Sequence, residues 1–299
     1  MNDRPSPRRA NLPGRLSARA LCLLAVVGAL GAGLCGAAGA APAPDWQHTL
    51  QVVANLRGTP PTTPLVILLG GSAARECVIS DARWAAQVER LGGPPVAAHD
   101  LGSRNRTFSQ DLKLVALLPR VPTVVFIGIS VGRFTRAPSD PIVRLPAPAP
   151  IPSNYDPHRY SSRSILSAAR KRQMTREWLS GRYPLFQEHY SANLGVLRQL
   201  IVACQEKGFY PVLLDLPRNR AIIGHALDKP VTRYHGSCEA LATRYHVPFL
   251  DFVREARLVN SDFYDIWHLV EPGRVKWQRI LSARTVSQLA RHDLGPSGG

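Results

Sequence analysis

Residues 65–76 read LVILLGGSAARE: five consecutive apolar residues, two glycines, a serine and then a run that suits the start of a helix. A strand that is apolar at every position, not every second one, has both faces covered, as in parallel sheets roofed by helices on each side. A glycine turn feeding a helix also ends a strand where such sheets bind ligands. Three uses of the turn are open on its own residues. Ser72 suits a nucleophile, the free amides of a helix start suit a phosphate, and Ser72 suits a plain N-cap.

Working outward, four further apolar runs of strand length occur: 95–99, 123–127, 211–216 and 247–252. Helical patterns separate them at 82–91, 110–118, 163–179, 185–207 and 231–245, with 273–291 closing the chain. Apolar strands alternating with helices predict an α/β class, a three-layer α/β/α sandwich around a five-stranded parallel sheet of flavodoxin-like type. The alternation breaks once. Residues 135–162, TRAPSDPIVRLPAPAPIPSNYDPHRYSS, are too rich in proline for regular helix or strand, and because the pattern resumes afterwards they read as a loop inserted into one domain. The expected domain runs over 64–292, preceded by a linker at 42–63 and followed by a disordered tail at 293–299.

The first 41 residues read differently. Five arginines and one aspartate occupy 1–19, and 20–41 is an uncharged, apolar and small-residue run that leads into the string AAGAAPA at 37–43. A positive segment, an apolar core and small residues make a signal peptide, and the apolar run is also long enough for an uncleaved membrane anchor. Both readings place the domain outside the cytoplasm, secreted or anchored to the cell membrane. The formal charge of +16 falls to +12 without the leader, a balance suited to anionic polymers or headgroups. No basic stripe with interleaved aromatics, helix-turn-helix or zinc spacing accompanies it, so no nucleic-acid partner is expected. Cys77, Cys204 and Cys238 form no CxxC pair; a Cys204–Cys238 disulfide and free buried thiols both remain open.

Chemistry in such a sheet belongs to the turns after the strands. Those are Gly70-Gly71-Ser72, then 100–105 (DLGSRN), then 128–133 (GISVGR). No GxGxxG or Walker pattern is present, which weakens a nucleotide reading. A serine nucleophile needs a base, and the base needs an orienting carboxylate. The segment 262–269, DFYDIWHL, supplies Asp265 and His268 three apart, just before the last helix. Asp215 and Asp251, at the ends of the fourth and fifth strands, are alternative orienters. His225, His235 and His246 lack metal-ligand spacing, and neither a metal nor a cofactor is expected.

Together, GGS after the first strand, a glycine turn after the second, GIS after the third and DxxH before the final helix resemble the SGNH (GDSL-like) hydrolase superfamily. The resemblance implies Ser72 as nucleophile, His268 as base, Asp265 as its partner, and an oxyanion hole of the Ser72 amide, Gly102 and a third-block residue. Two positions depart from the family pattern. Gly71 stands where GDS has aspartate, and Ser130 stands where GxND has asparagine, which leaves Asn105 as a substitute donor. Arg75 and Arg133 are the expected contacts to an anionic substrate. The GGSxxRE and FYDxxHL segments also look like envelope-associated branches that transfer or remove acyl groups. The implied activity is an esterase or acyltransferase acting on O-acyl esters of cell-envelope polysaccharide. The alternative is a catalytically silent module that binds envelope glycans or assists a membrane acyltransferase.

Overall fold

The computed structural model describes residues 44–152 and 155–294. The expected leader and residues 295–299 of the expected tail lie outside them. No described helix is long and apolar enough to cross a membrane.

The predicted sheet is present. Strands β1 (Leu65–Leu69), β2 (Ala97–Asp100), β3 (Thr123–Ile129), β4 (Tyr210–Asp215) and β5 (Phe249–Leu250) pair in the order β2-β1-β3-β4-β5, all parallel. All five residues of β1 are buried, as its unbroken apolar run requires. They divide by parity. Leu65, Ile67 and Leu69 enter one core with α1 (Pro44–Gly58), α4 (Phe108–Leu117), α6 (Tyr183–Glu206) and α8 (Asp228–Tyr245). Val66 and Leu68 enter the other core, with Trp84 and Val88 of α3 (Asp81–Arg90) and Trp277 and Leu281 of α9 (Glu271–Arg291). Helices therefore roof both faces, giving the three-layer α/β/α sandwich.

Local signals set the helix starts. Ser80 accepts from the Arg83 amide at the head of α3, and Thr107 forms a reciprocal capping box with Gln110 at the head of α4. The short helices α2 (Ser72–Arg75) and α7 (Arg220–Ile223) and the helix α5 (Ala168–Gly181) complete the set.

Two expectations need correction. Residues 44–58 are not linker but helix α1, whose Asp45, Thr49, Val52, Val53 and Leu56 face inward at helical spacing. The fifth strand shrinks to two residues, which pair with β4 alone at the sheet edge. Of the two states left open for the cysteines, the structure has the free one: Cys77, Cys204 and Cys238 are buried thiols, and burial pushes the Cys204 thiol up to about 12. The proline-rich excursion has no helix or strand through its described residues 135–152 and 155–161. Its path is nonetheless held. The Asn55 side chain of α1 donates to Ala149 O (2.9 Å) and accepts from Ala149 N (3.0 Å), and Gln51 donates to Ala147 O (3.0 Å).

Candidate active site

Strand β1 is flanked by β2 on one side and β3 on the other, so the strand order reverses at its carboxyl end. Loops diverge at such a point and leave a crevice. Ser72 opens α2 directly in this crevice, with Gly71 in extended conformation as the residue before it.

From 196 residues further on, His268 meets it. The Ser72 hydroxyl donates to His268 Nε2 at 2.8 Å, and His268 Nδ1–H donates to Asp265 Oδ2 at 2.7 Å. These bonds assign the tautomer, because an ionised carboxylate only accepts and so leaves Nε2 as the acceptor for the hydroxyl. The Asp265 turn is built to face inward. Its Oδ1 accepts from the amides of Trp267 (2.8 Å) and His268 (2.9 Å), folding the DxxH segment around its own carboxylate. Tyr264 N donates to His268 O (2.8 Å) and Val270 N to Asp262 O (2.9 Å), closing a narrow loop. Lys171 of α5 reaches under it, donating to Phe263 O (2.8 Å), Asn260 O (3.0 Å) and Asn260 Oδ1 (2.9 Å). Burial pushes the Asp265 carboxyl up, but the hydrogen bond and charge of His268 and the two amides outweigh it, leaving it below the ordinary value.

Tyr160, at the return of the proline-rich excursion, lies against the imidazole with ring centroids 4.5 Å apart and stacks on Tyr264 at 4.3 Å. The excursion thus borders the site. A cavity of about 280 Å³ opens in front of Ser72 and His268, lined among others by Asn105, Ser130 and Trp267.

The remaining expected residues divide. Asn105 (φ 62°) and Ser130 line the cavity, as an oxyanion role requires. Gly102 does not present its amide to it: Gly102 N–H donates to Asp100 Oδ1 at 2.8 Å. The glycine is there for space. A Cβ at 102 would stand 2.4 Å from Arg75 N and 2.9 Å from its Cα, so the β2 exit packs directly on the nucleophile's helix.

Arg75 is likewise corrected. It is 1% exposed and is not part of the cavity lining, being bonded to Asp45 Oδ2 (2.5 Å) and Glu76 Oε1 (3.0 Å). Arg133 lines the cavity but spends its guanidinium on Asp111 and on Gly128 O (2.7 Å). Both expected substrate contacts are structural ion pairs, because a buried guanidinium must find a carboxylate. Asp215 is also committed elsewhere, to Arg218 at 2.5 Å and to the Tyr234 hydroxyl. The structure does bring His235 to 3.1 Å from Asp215 and 3.9 Å from Asp251, a grouping that chain spacing hid. Arg218 already neutralises Asp215 there.

Tyr160, Trp178, Arg136 and Arg182 are site residues that the sequence did not announce. They come from the proline-rich segment and from α5 and its exit, and nothing local in those segments marks them.

No protein-family model matches the chain, and no curated protein matches it either. Among solved structures it is similar to a lipase/acylhydrolase from Enterococcus faecalis, at 12% identity and TM-score 0.44, covering 77% of this chain and 97% of that one. It is also similar to an acetylxylan esterase from Geobacillus stearothermophilus, at 14% identity and TM-score 0.43, covering 72% of this chain and 91% of that one. The likeness is one of fold.

Proposed function

We propose that the chain is a serine esterase or acyltransferase of SGNH type, acting on O-acyl esters. The observation that carries this reading is the pair of hydrogen bonds running from Ser72 through His268 to Asp265. An alcohol is a weak nucleophile until a positioned base accepts its proton, and an imidazole is a positioned base only when its other nitrogen is held.

In the proposed reaction Ser72 Oγ attacks the ester carbonyl while His268 Nε2 takes the hydroxyl proton. Asp265 holds the tautomer and stabilises the imidazolium. The tetrahedral oxyanion lies against the Ser72 amide at the start of α2, with Asn105 and Ser130 as side-chain donors. Collapse breaks the ester bond, and His268 returns the proton to the leaving alcohol. A second attack on acyl-Ser72, by water or by a polymer hydroxyl, releases the acyl group and restores the serine. Gly102 is outside this scheme, since its amide already serves Asp100. The basic charge and the leader favour an extracytoplasmic site of action, secreted or membrane-anchored, on anionic cell-envelope polysaccharide.

The test is covalent labelling by a fluorophosphonate probe. The wild-type chain is expected to label, and Ser72→Ala and His268→Ala are expected to lose the label while still melting cooperatively. A folded wild-type chain that stays unlabelled across several probes overturns the esterase reading and leaves the silent envelope-binding module.

A further inference from the structure

We infer that the cavity in front of Ser72 selects esters whose alcohol part carries a carboxylate, an O-acylated acidic sugar, and that Arg136 and Arg182 hold that carboxylate. The inference rests on the esterase reading for the word ester, but the arginine pair stands on its own geometry.

Four arginines line the cavity, Arg106, Arg133, Arg136 and Arg182, and no aspartate or glutamate does. The first two are a buried frame. Arg106 Nε donates to Asp111 Oδ1 at 2.7 Å, and Arg133 Nη2 donates to Asp111 Oδ2, so two guanidinium groups share one carboxylate. The floor therefore keeps an excess of positive charge. Arg106 Nη2 and Arg133 Nε are, in addition, buried without a hydrogen-bond partner.

Arg136 and Arg182 differ from this pair. Both are exposed, and neither forms an ion pair among the described residues. Their backbones are nevertheless fixed. Asn193, 1% exposed within α6, donates through Nδ2 to Arg136 O at 2.7 Å and to His189 O at 3.0 Å, tying the exit of the 131–134 turn to the helix. Arg182 stands at the break between α5 and α6, where its amide donates to Trp178 O (2.7 Å) and its carbonyl accepts from Phe186 N (2.9 Å). Two arginines on fixed backbones, without an ion-pair partner among the described residues, thus line the same cavity as the buried Arg106–Asp111–Arg133 group. Like charges lining one cavity repel one another, and an anion bound there offsets that repulsion. A guanidinium fork matches a carboxylate in shape as well as in sign. Trp178 and Trp267, 6.4 Å apart and edge to face, provide an apolar wall of the same cavity for the body of the sugar.

A competing use of the field is general stabilisation of the oxyanion, which would help every ester equally. The decisive measurement is therefore a ratio. The kcat/KM of a mono-O-acetylated methyl glucuronoside is compared with that of the methyl glucoside acetylated at the same position. The expected preference for the uronate is about 10- to 100-fold, the worth of a charge-assisted hydrogen bond. It should shrink as salt rises from about 0.01 M to about 1 M, where the screening length falls from about 30 Å to about 3 Å. Arg136→Gln combined with Arg182→Gln is expected to bring the ratio close to one, with a melting curve showing that the variant is folded. A wild-type ratio near one, or a ratio that the double substitution leaves in place, overturns the inference. If neither ester is cleaved and Ser72 does not label, calorimetry with methyl glucuronoside and methyl glucoside decides. Preference for the uronate, lost in the double variant, keeps the carboxylate site and rejects the esterase; equal or absent binding rejects the site.

Discussion

Asp265 uses both oxygens at once, one on the imidazole of His268 and one on two backbone amides. Its neutral isostere breaks this arrangement at a definite point, because the amide of Asp265→Asn can donate to the ring nitrogen and so favour the wrong tautomer. Loss of about 10⁴-fold in ester turnover is expected, the scale of that error in serine hydrolases, and acyl-ester kinetics will measure it. The same carboxyl makes a second prediction. Its pKa is lowered on folding, so the stability it contributes is complete above the ordinary carboxylate value of about 3.9 and is lost as pH falls through its lower folded value. Melting temperatures followed from pH 6 down to pH 2 should fall more steeply for the wild type than for Asp265→Asn. Parallel curves would show that the carboxylate carries no such linkage.

At the scale of elements, the short helix α2 holds the nucleophile against the exit of β2, and Gly102 is where they touch. Ala at 102 would drive a Cβ into the Arg75 backbone, which cannot swing aside as a side chain would. Gly102→Ala is expected to cost about 1–3 kcal/mol as overpacking and to slow labelling of Ser72 by about 10²-fold through displacement of the reacting groups. Denaturant unfolding and probe-labelling rates measure the two effects separately. Most elements were legible because unbroken apolar runs and helical spacings are local signals. Helix α1 was not, since Asp45 and Thr49 occupy inward positions where a sequence pattern expects apolar residues. Their partners, Arg75 for Asp45 and Leu101 O for Thr49, are distant in the chain.

For the molecule as a whole, those partners form a chain of buried charge. Asp45 of α1 bonds Arg75 of α2, Arg75 bonds Glu76, and Glu76 pairs with Arg274 of α9. The excursion joins at Arg159 N, which donates to Glu76 Oε1 at 3.1 Å, and at Tyr160 O, which accepts from Arg274 Nη2 at 2.8 Å. Opposite faces of the sheet and the proline-rich segment are thus clamped behind Ser72. Removing one member leaves a buried charge without its partner. Asp45→Ala is accordingly expected to cost about 3–5 kcal/mol, read as a lower denaturant midpoint, and to weaken labelling of Ser72 as α2 loosens. An unchanged midpoint would mean that Glu76 alone satisfies Arg75.

The α/β class, the parallel sheet, the inserted segment and the candidate positions Ser72, Asp265 and His268 are all legible in the unfolded chain. Each of these rests on a pattern within a few residues: an unbroken apolar run, a glycine turn, a carboxylate three places before an imidazole. Which polar groups are free to act is set by folding. A guanidinium or an amide looks the same in every sequence. Whether it faces a ligand depends on the carboxylate the fold sets beside it. For that reason Arg75 and Arg133 became ion pairs, the Gly102 amide went to Asp100, and Arg136 and Arg182 stand on the cavity wall without an ion-pair partner among the described residues.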